Sequence, residues 1–163
     1  MHSMMHLRPF YLYNVILIII FSIIVNPSYN LSILHFAFYS IFHFFLIYIA
    51  IYHYRNLLYF INFFYGILLD IMWFSEIGPH LIVFISILIL LKFFQKQLYS
   101  LTSLKMYILI ILLHFLMIMF ESFLTFILLG YNAEIFSLLK ILLLSLFLSY
   151  PLFFIFIKID SLK

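Results

Sequence analysis

Long apolar runs dominate this chain, and short polar interruptions divide them. The interruptions contain Asn, Pro, Ser, Gly or charged residues, as at residues 26–30 and 75–78. Because a helix needs about 20 apolar residues to cross a bilayer, the pattern predicts six transmembrane helices. The predicted spans are residues 10–25, 31–52, 57–74, 79–94, 104–129 and 135–157.

The composition agrees with a membrane protein. Hydrophobic residues make up 69% of the chain and charged residues 8%, whereas a soluble domain is about 45–50% apolar and about 25% charged. We therefore expect a single all-α transmembrane domain over residues 1–163. The net charge of +3 comes from scattered Lys and Arg residues, so we expect no nucleic-acid binding and take membrane lipid as the surroundings.

The basic residues predict one orientation. Cytoplasmic loops of membrane proteins are enriched in Lys and Arg. With six crossings, seven of the eight basic residues fall on one face, and the opposite face carries Glu76 and Glu134. The eighth, Lys140, lies within a span. The sequence therefore predicts six helices with both termini in the cytoplasm.

Three charged residues lie within the predicted spans: Asp70, Glu121 and Lys140. At about 1.5 Å per residue, they lie roughly 6, 12 and 8 Å from the outer end of their helices. Because a charge in lipid needs a partner, we expect a buried polar cluster centred on Lys140. Such a cluster could fix the register of the helices or form part of an ion relay. The first interpretation is favoured, since no carboxylate continues the path through the cytoplasmic half.

The chain offers little for metal binding or catalysis. His35 and His43 are two helical turns apart, about 12 Å, and cannot share one ion. No nucleophile motif or phosphate-binding loop occurs, and cysteine is absent. We therefore expect no enzyme activity, no metal site and no cofactor.

The third predicted helix carries Asn62, Gly66 and Asp70 at intervals of four residues, which places them on one face. Gly66 leaves space there for a neighbouring backbone or a ligand. After Asp70 comes a short break, and Gly78-Pro79 then opens the next predicted helix. Proline suits the first turn of a helix, where its missing N–H has no partner to lose.

This segment resembles the corresponding region of the MreD family of bacterial rod shape-determining membrane proteins. In that family a Gly-x-x-x-Asp helix end, here Gly66 to Asp70, precedes a short loop and a second glycine, here Gly78. Chain length, the six predicted spans and a proline in the last helix, Pro151, extend the similarity over almost the whole chain. The loop before the third helix lacks a proline often found in the family, and Ala and Gly are unusually scarce.

The resemblance implies a non-enzymatic membrane scaffold of cell-wall elongation that maintains rod shape. The implied partner is MreC and, through it, MreB, RodA and the elongation transpeptidase. The implied fold is a six-helix bundle similar to the substrate-binding subunits of energy-coupling-factor transporters. The alternative function is therefore a small-molecule-binding membrane subunit or a small transporter. The first helix lacks the Ala-x-x-x-Ala docking motif common in those subunits, which favours the scaffold.

Overall fold

The computed structural model describes residues 7–25, 32–98, 100–131 and 135–161. All regular secondary structure in these ranges is α-helical, which confirms the predicted all-α class. The helices are α1 (Leu7–Val25), α2 (Ser32–Tyr52), α3 (Leu57–Phe74), α4 (Pro79–Phe93), α5 (Gln95–Leu98), α6 (Ser103–Leu129) and α7 (Ile135–Ser161). The predicted break at 26–30, residues 132–134 of the predicted break at 130–134, and both chain termini lie outside the described residues.

Helices α2, α3, α6 and α7 are long and apolar enough to cross a membrane, by length and composition. Helices α1 and α4 are apolar but shorter, over Phe10–Val25 and Pro79–Phe93. Large apolar side chains also cover the surface: Phe147 is 81% exposed and Phe93 is 78% exposed. A surface of this kind is stable in lipid and would aggregate in water.

The fourth interruption differs from the predicted break. Residues 95–103 were expected to be irregular, but Gln95–Leu98 form one helical turn, α5. The amide of Leu98 donates to the carbonyl of Phe94 at 3.1 Å, and the Leu98 side chain is buried. Burial of Leu98 stabilises this turn. The turn was not predicted, because one leucine among polar residues shows no helical pattern in the sequence.

The chain divides into two compact units: residues 1–45 together with 140–163, and residues 46–139. In the first unit, α1 and α7 are joined by Tyr13, which is fully buried. Its hydroxyl donates to Asp160 Oδ1 at 3.0 Å, and its ring meets Phe156 edge-on. A second polar contact joins α2 to α7, where the Ser40 and Ser145 hydroxyl oxygens lie 2.8 Å apart.

The second unit is built on a hairpin of α3 and α4, against which α6 packs on the α4 side. Helix α3 ends at Ser75, whose backbone is left-handed with φ of 60° and whose amide donates to the Ile71 carbonyl at 3.0 Å. Only three residues, Glu76 to Gly78, then separate Ser75 from Pro79. This tight connection brings the end of α3 directly against the start of α4.

Candidate functional site

The loop end of the α3–α4 hairpin is organised around the carboxylate of Asp70, which is fully buried. The amides of Gly78 and Leu81 donate to Oδ2 at 2.9 and 3.0 Å. The amide of His80 donates to Oδ1 at 2.9 Å. Pro79 has no N–H, so Asp70 accepts from every backbone amide that residues 78–81 possess.

Asp70 therefore caps a helix to which it does not belong. The first amides of a helix have no partner within it and together carry a partial positive charge. No Ser, Thr, Asp or Asn stands at the cap position of α4, which is Gly78. The carboxylate supplied by α3 takes the place of a local cap and also satisfies its own need for a partner in lipid.

His80 completes the coordination of Asp70. Its Nδ1 lies 2.7 Å from Oδ1, and because a carboxylate only accepts, Nδ1 must donate. The imidazole stacks on Phe74 with ring centroids 5.7 Å apart and meets Trp73 edge-on at 5.2 Å. The aromatic rings at the end of α3 thus hold the histidine in the orientation that its hydrogen bond requires.

Gly66 lies one turn before Asp70, where the backbone of α4 packs tightly against α3. A Cβ atom at Gly66 would stand 2.6 Å from Leu81 Cα and 2.9 Å from Leu81 N. Both of these are backbone atoms, so no side-chain rotation could make room. The sequence alone allowed either a neighbouring backbone or a ligand beside Gly66. The structure places the backbone of α4 there.

Gly78 donates its backbone amide to Asp70, and no neighbouring backbone packs closely against it. A Cβ atom there would meet only Leu128 Cδ1, at 3.7 Å, which is an ordinary contact. The three residues of the family-like motif thus have distinct parts: Gly66 admits α4, Asp70 caps it, and Gly78 donates to the cap. Together with His80 and Leu81 they form what we call the hairpin clamp.

The other sequence-predicted site residues lie elsewhere. Glu121 is buried on α6, two turns beyond the buried His114. Lys140 is exposed and belongs to the other compact unit. Asp70 has its bonding partners within the hairpin, while the expected ion cluster of Asp70, Glu121 and Lys140 stays a prediction.

His80 was not singled out as a functional residue from the sequence, although a signal for it exists. A helix that opens with Gly-Pro and has no capping side chain needs an acceptor from another segment. Asp70 lies one short loop away and is buried in an apolar helix, where it needs donors. The free amides at the start of α4 need an acceptor, and the carboxylate of Asp70 needs donors, so the two are expected to pair. His80 lies in the first turn of α4, beside this pairing.

Among the described residues, no group of three or more His, Asp or Glu side chains is arranged to hold a metal ion. No family model, no curated protein and no solved structure matches this chain. The resemblance to the MreD family therefore stays a prediction from the sequence, and the hairpin clamp describes what Gly66, Asp70 and Gly78 do in this structure.

Proposed function

We propose that this chain is a six-helix inner-membrane scaffold of the MreD type, which maintains rod shape by binding MreC within the bilayer. Through MreC it would contribute to the assembly of MreB filaments, RodA and the elongation transpeptidase. Four helices long enough to span a membrane, together with the shorter apolar helices α1 and α4, support the six-crossing arrangement.

The observation that carries the proposal is the saturation of Asp70. In a transporter or a ligand-binding subunit, an intramembrane carboxylate is expected to face the transported ion or the ligand. Here its oxygens accept four hydrogen bonds from Gly78, His80 and Leu81 of the same chain. A carboxylate used in this way stabilises a rigid hairpin, which is what a docking scaffold requires.

The rigid hairpin also presents an exposed outer loop. Glu76 is exposed and Ile77 is 60% exposed, between the ends of two fixed helices. A partner that meets this loop binds a surface already ordered before contact, so less conformational entropy is lost on binding. We place the outer part of the MreC contact at this loop and the remainder along lipid-facing helix surfaces.

Depletion of the protein in its own host tests the proposal. The expected result is that cells become wider and round, and that a plasmid copy of the wild-type gene restores rods. Rods should also return with Lys105→Gln, an exposed substitution on α6 outside the clamp and the loop, and not with Asp70→Leu, which removes the cap. Unchanged cell width after full depletion would contradict the scaffold function.

A thermal unfolding assay on the purified protein distinguishes the scaffold from a small-molecule-binding subunit. Binding of a ligand to the folded state raises the melting temperature in proportion to the logarithm of its concentration. The scaffold predicts no such rise across a panel of vitamins and other small solutes in detergent. A saturable rise with one of them would favour the transporter-like function.

A further inference from the structure

A groove of about 350 Å³ runs between α3 and α4 on the outside of the hairpin. It is lined by Tyr59, Phe60, Phe63, Phe64 and Ile85. The lining is aromatic and aliphatic throughout, and Phe60 and Phe64 are more than half exposed. This groove lies apart from the hairpin clamp, since its α3 residues precede Gly66 and Asp70.

One end of the groove meets a positive charge. The Lys92 ammonium lies 5.8 Å from the centroid of the Tyr59 ring, within the range of a cation–π contact. Lys92 follows Ile85, the α4 residue that lines the groove, by seven residues, which is about 10 Å along the helix. Lys92 is exposed, and no acidic side chain lines the groove.

The surroundings of this end are also basic. Arg55 precedes α3 by two residues, and Lys96 lies on α5 just beyond α4. The nearest acidic residue on either helix is Asp70, whose oxygens are bonded to the opposite end of α4. The groove therefore has an apolar lining, and basic residues lie near the end at which α3 begins and α4 ends.

We propose that this groove binds one anionic phospholipid, with an acyl chain along the aromatic lining and the headgroup phosphate against Lys92. Apolar surface favours an acyl chain of any phospholipid, so the groove alone provides affinity without selectivity. The ammonium supplies the selectivity, because basic pockets between membrane helices attract anionic headgroups. The proposal does not rest on the proposed MreC-binding function.

Native mass spectrometry of the purified chain in detergent tests the proposal. The protein is incubated with equal amounts of phosphatidylglycerol and phosphatidylcholine that carry the same acyl chains. Wild-type protein should retain phosphatidylglycerol about fivefold over phosphatidylcholine, the preference expected from one basic residue near a membrane surface. Lys92→Gln should bring the ratio close to one, whereas Lys92→Arg should keep it.

Two further variants separate the parts of the site. Lys105→Gln removes an exposed lysine at the start of α6, outside the groove, and should leave the lipid ratio unchanged. Ile85→Trp fills the groove and should reduce the retention of both lipids severalfold. A wild-type ratio near one would overturn the proposal even if a variant failed to fold. An equal loss of preference in Lys92→Gln and Lys105→Gln would overturn it as well, because it would indicate general charge attraction.

Discussion

Replacement of Asp70 with Asn tests the hairpin clamp with the smallest change in shape. The amide has one oxygen that accepts and one nitrogen that only donates. Each carboxylate oxygen of Asp70 now accepts two bonds, those of Gly78 and Leu81 on Oδ2 and the two from His80 on Oδ1. If the amide nitrogen faces Gly78 and Leu81, two donors lose their acceptor. If it faces His80, the backbone amide of His80 loses its acceptor and the imidazole must change tautomer so that Nδ1 accepts.

The expected loss follows from the one or two donors that lose their acceptor. A hydrogen bond to a charged group contributes about 1.5–3 kcal/mol, so one or two of them amount to about 1.5–6 kcal/mol. The favourable interaction of the carboxylate with the N-terminus of α4 is lost in addition. With about 2–4 °C per kcal/mol for a chain of this size, the melting temperature should fall by at least about 3 °C.

Trp73 is the only tryptophan of the chain and contacts His80, so its fluorescence reports on the clamp itself. Thermal unfolding in mild detergent, followed by this signal, gives the melting temperature. Glu76→Gln is the matched control: it makes the same change of charge in the adjacent loop at an exposed position. The control should stay within about 1 °C of wild type, since exposed substitutions rarely exceed 0.5 kcal/mol. If Asp70→Asn melted as close to wild type as the control, the capping role of Asp70 would be refuted.

Three further predictions concern the rest of the chain. Gly66→Ala should lower the melting temperature by several degrees, and Leu81→Ala should not rescue it, because the new methyl group meets Leu81 backbone atoms; rescue in the double variant would show that the contact is adjustable. Tyr13→Phe should lower the free energy of unfolding by about 1.5–3 kcal/mol through the lost bond to a carboxylate, while Tyr11→Phe, at an exposed position, should be neutral in the same denaturation assay. The predicted ion cluster requires Lys140→Met to lower the melting temperature by about 6 °C or more, since removal of one partner of a buried charge costs about 3–5 kcal/mol; a change under about 2 °C would remove Lys140 from the cluster.

The helices themselves were largely predictable, because apolar runs and their polar breaks are properties of consecutive residues. The third predicted span, residues 57–74, coincides with α3, and the fourth differs from α4 by one residue at its end. The sequence also placed Asn62, Gly66 and Asp70 on one face, and all three are buried. Periodicity determines such a face without reference to any other helix.

The partners across the helices were not predictable in the same way. Depth along a span can be counted from the sequence, but the neighbour that a side chain meets depends on helix rotation and packing. Asp70 was therefore assigned to Lys140 by depth, whereas three of its four observed hydrogen bonds come from backbone amides, which every residue except proline carries. Lys92 and Tyr59 are likewise 33 positions apart and are brought together by the hairpin.

Co-purification with MreC tests the central claim most directly. The chain is expressed with the MreC of its own genome, and the pair is purified through a tag on MreC in mild detergent. We expect the two proteins to elute together in a fixed ratio, with the exposed α6 substitution Lys105→Gln retaining the complex and Asp70→Leu weakening it. A wild-type chain that is folded and monodisperse yet never elutes with MreC would contradict the scaffold function.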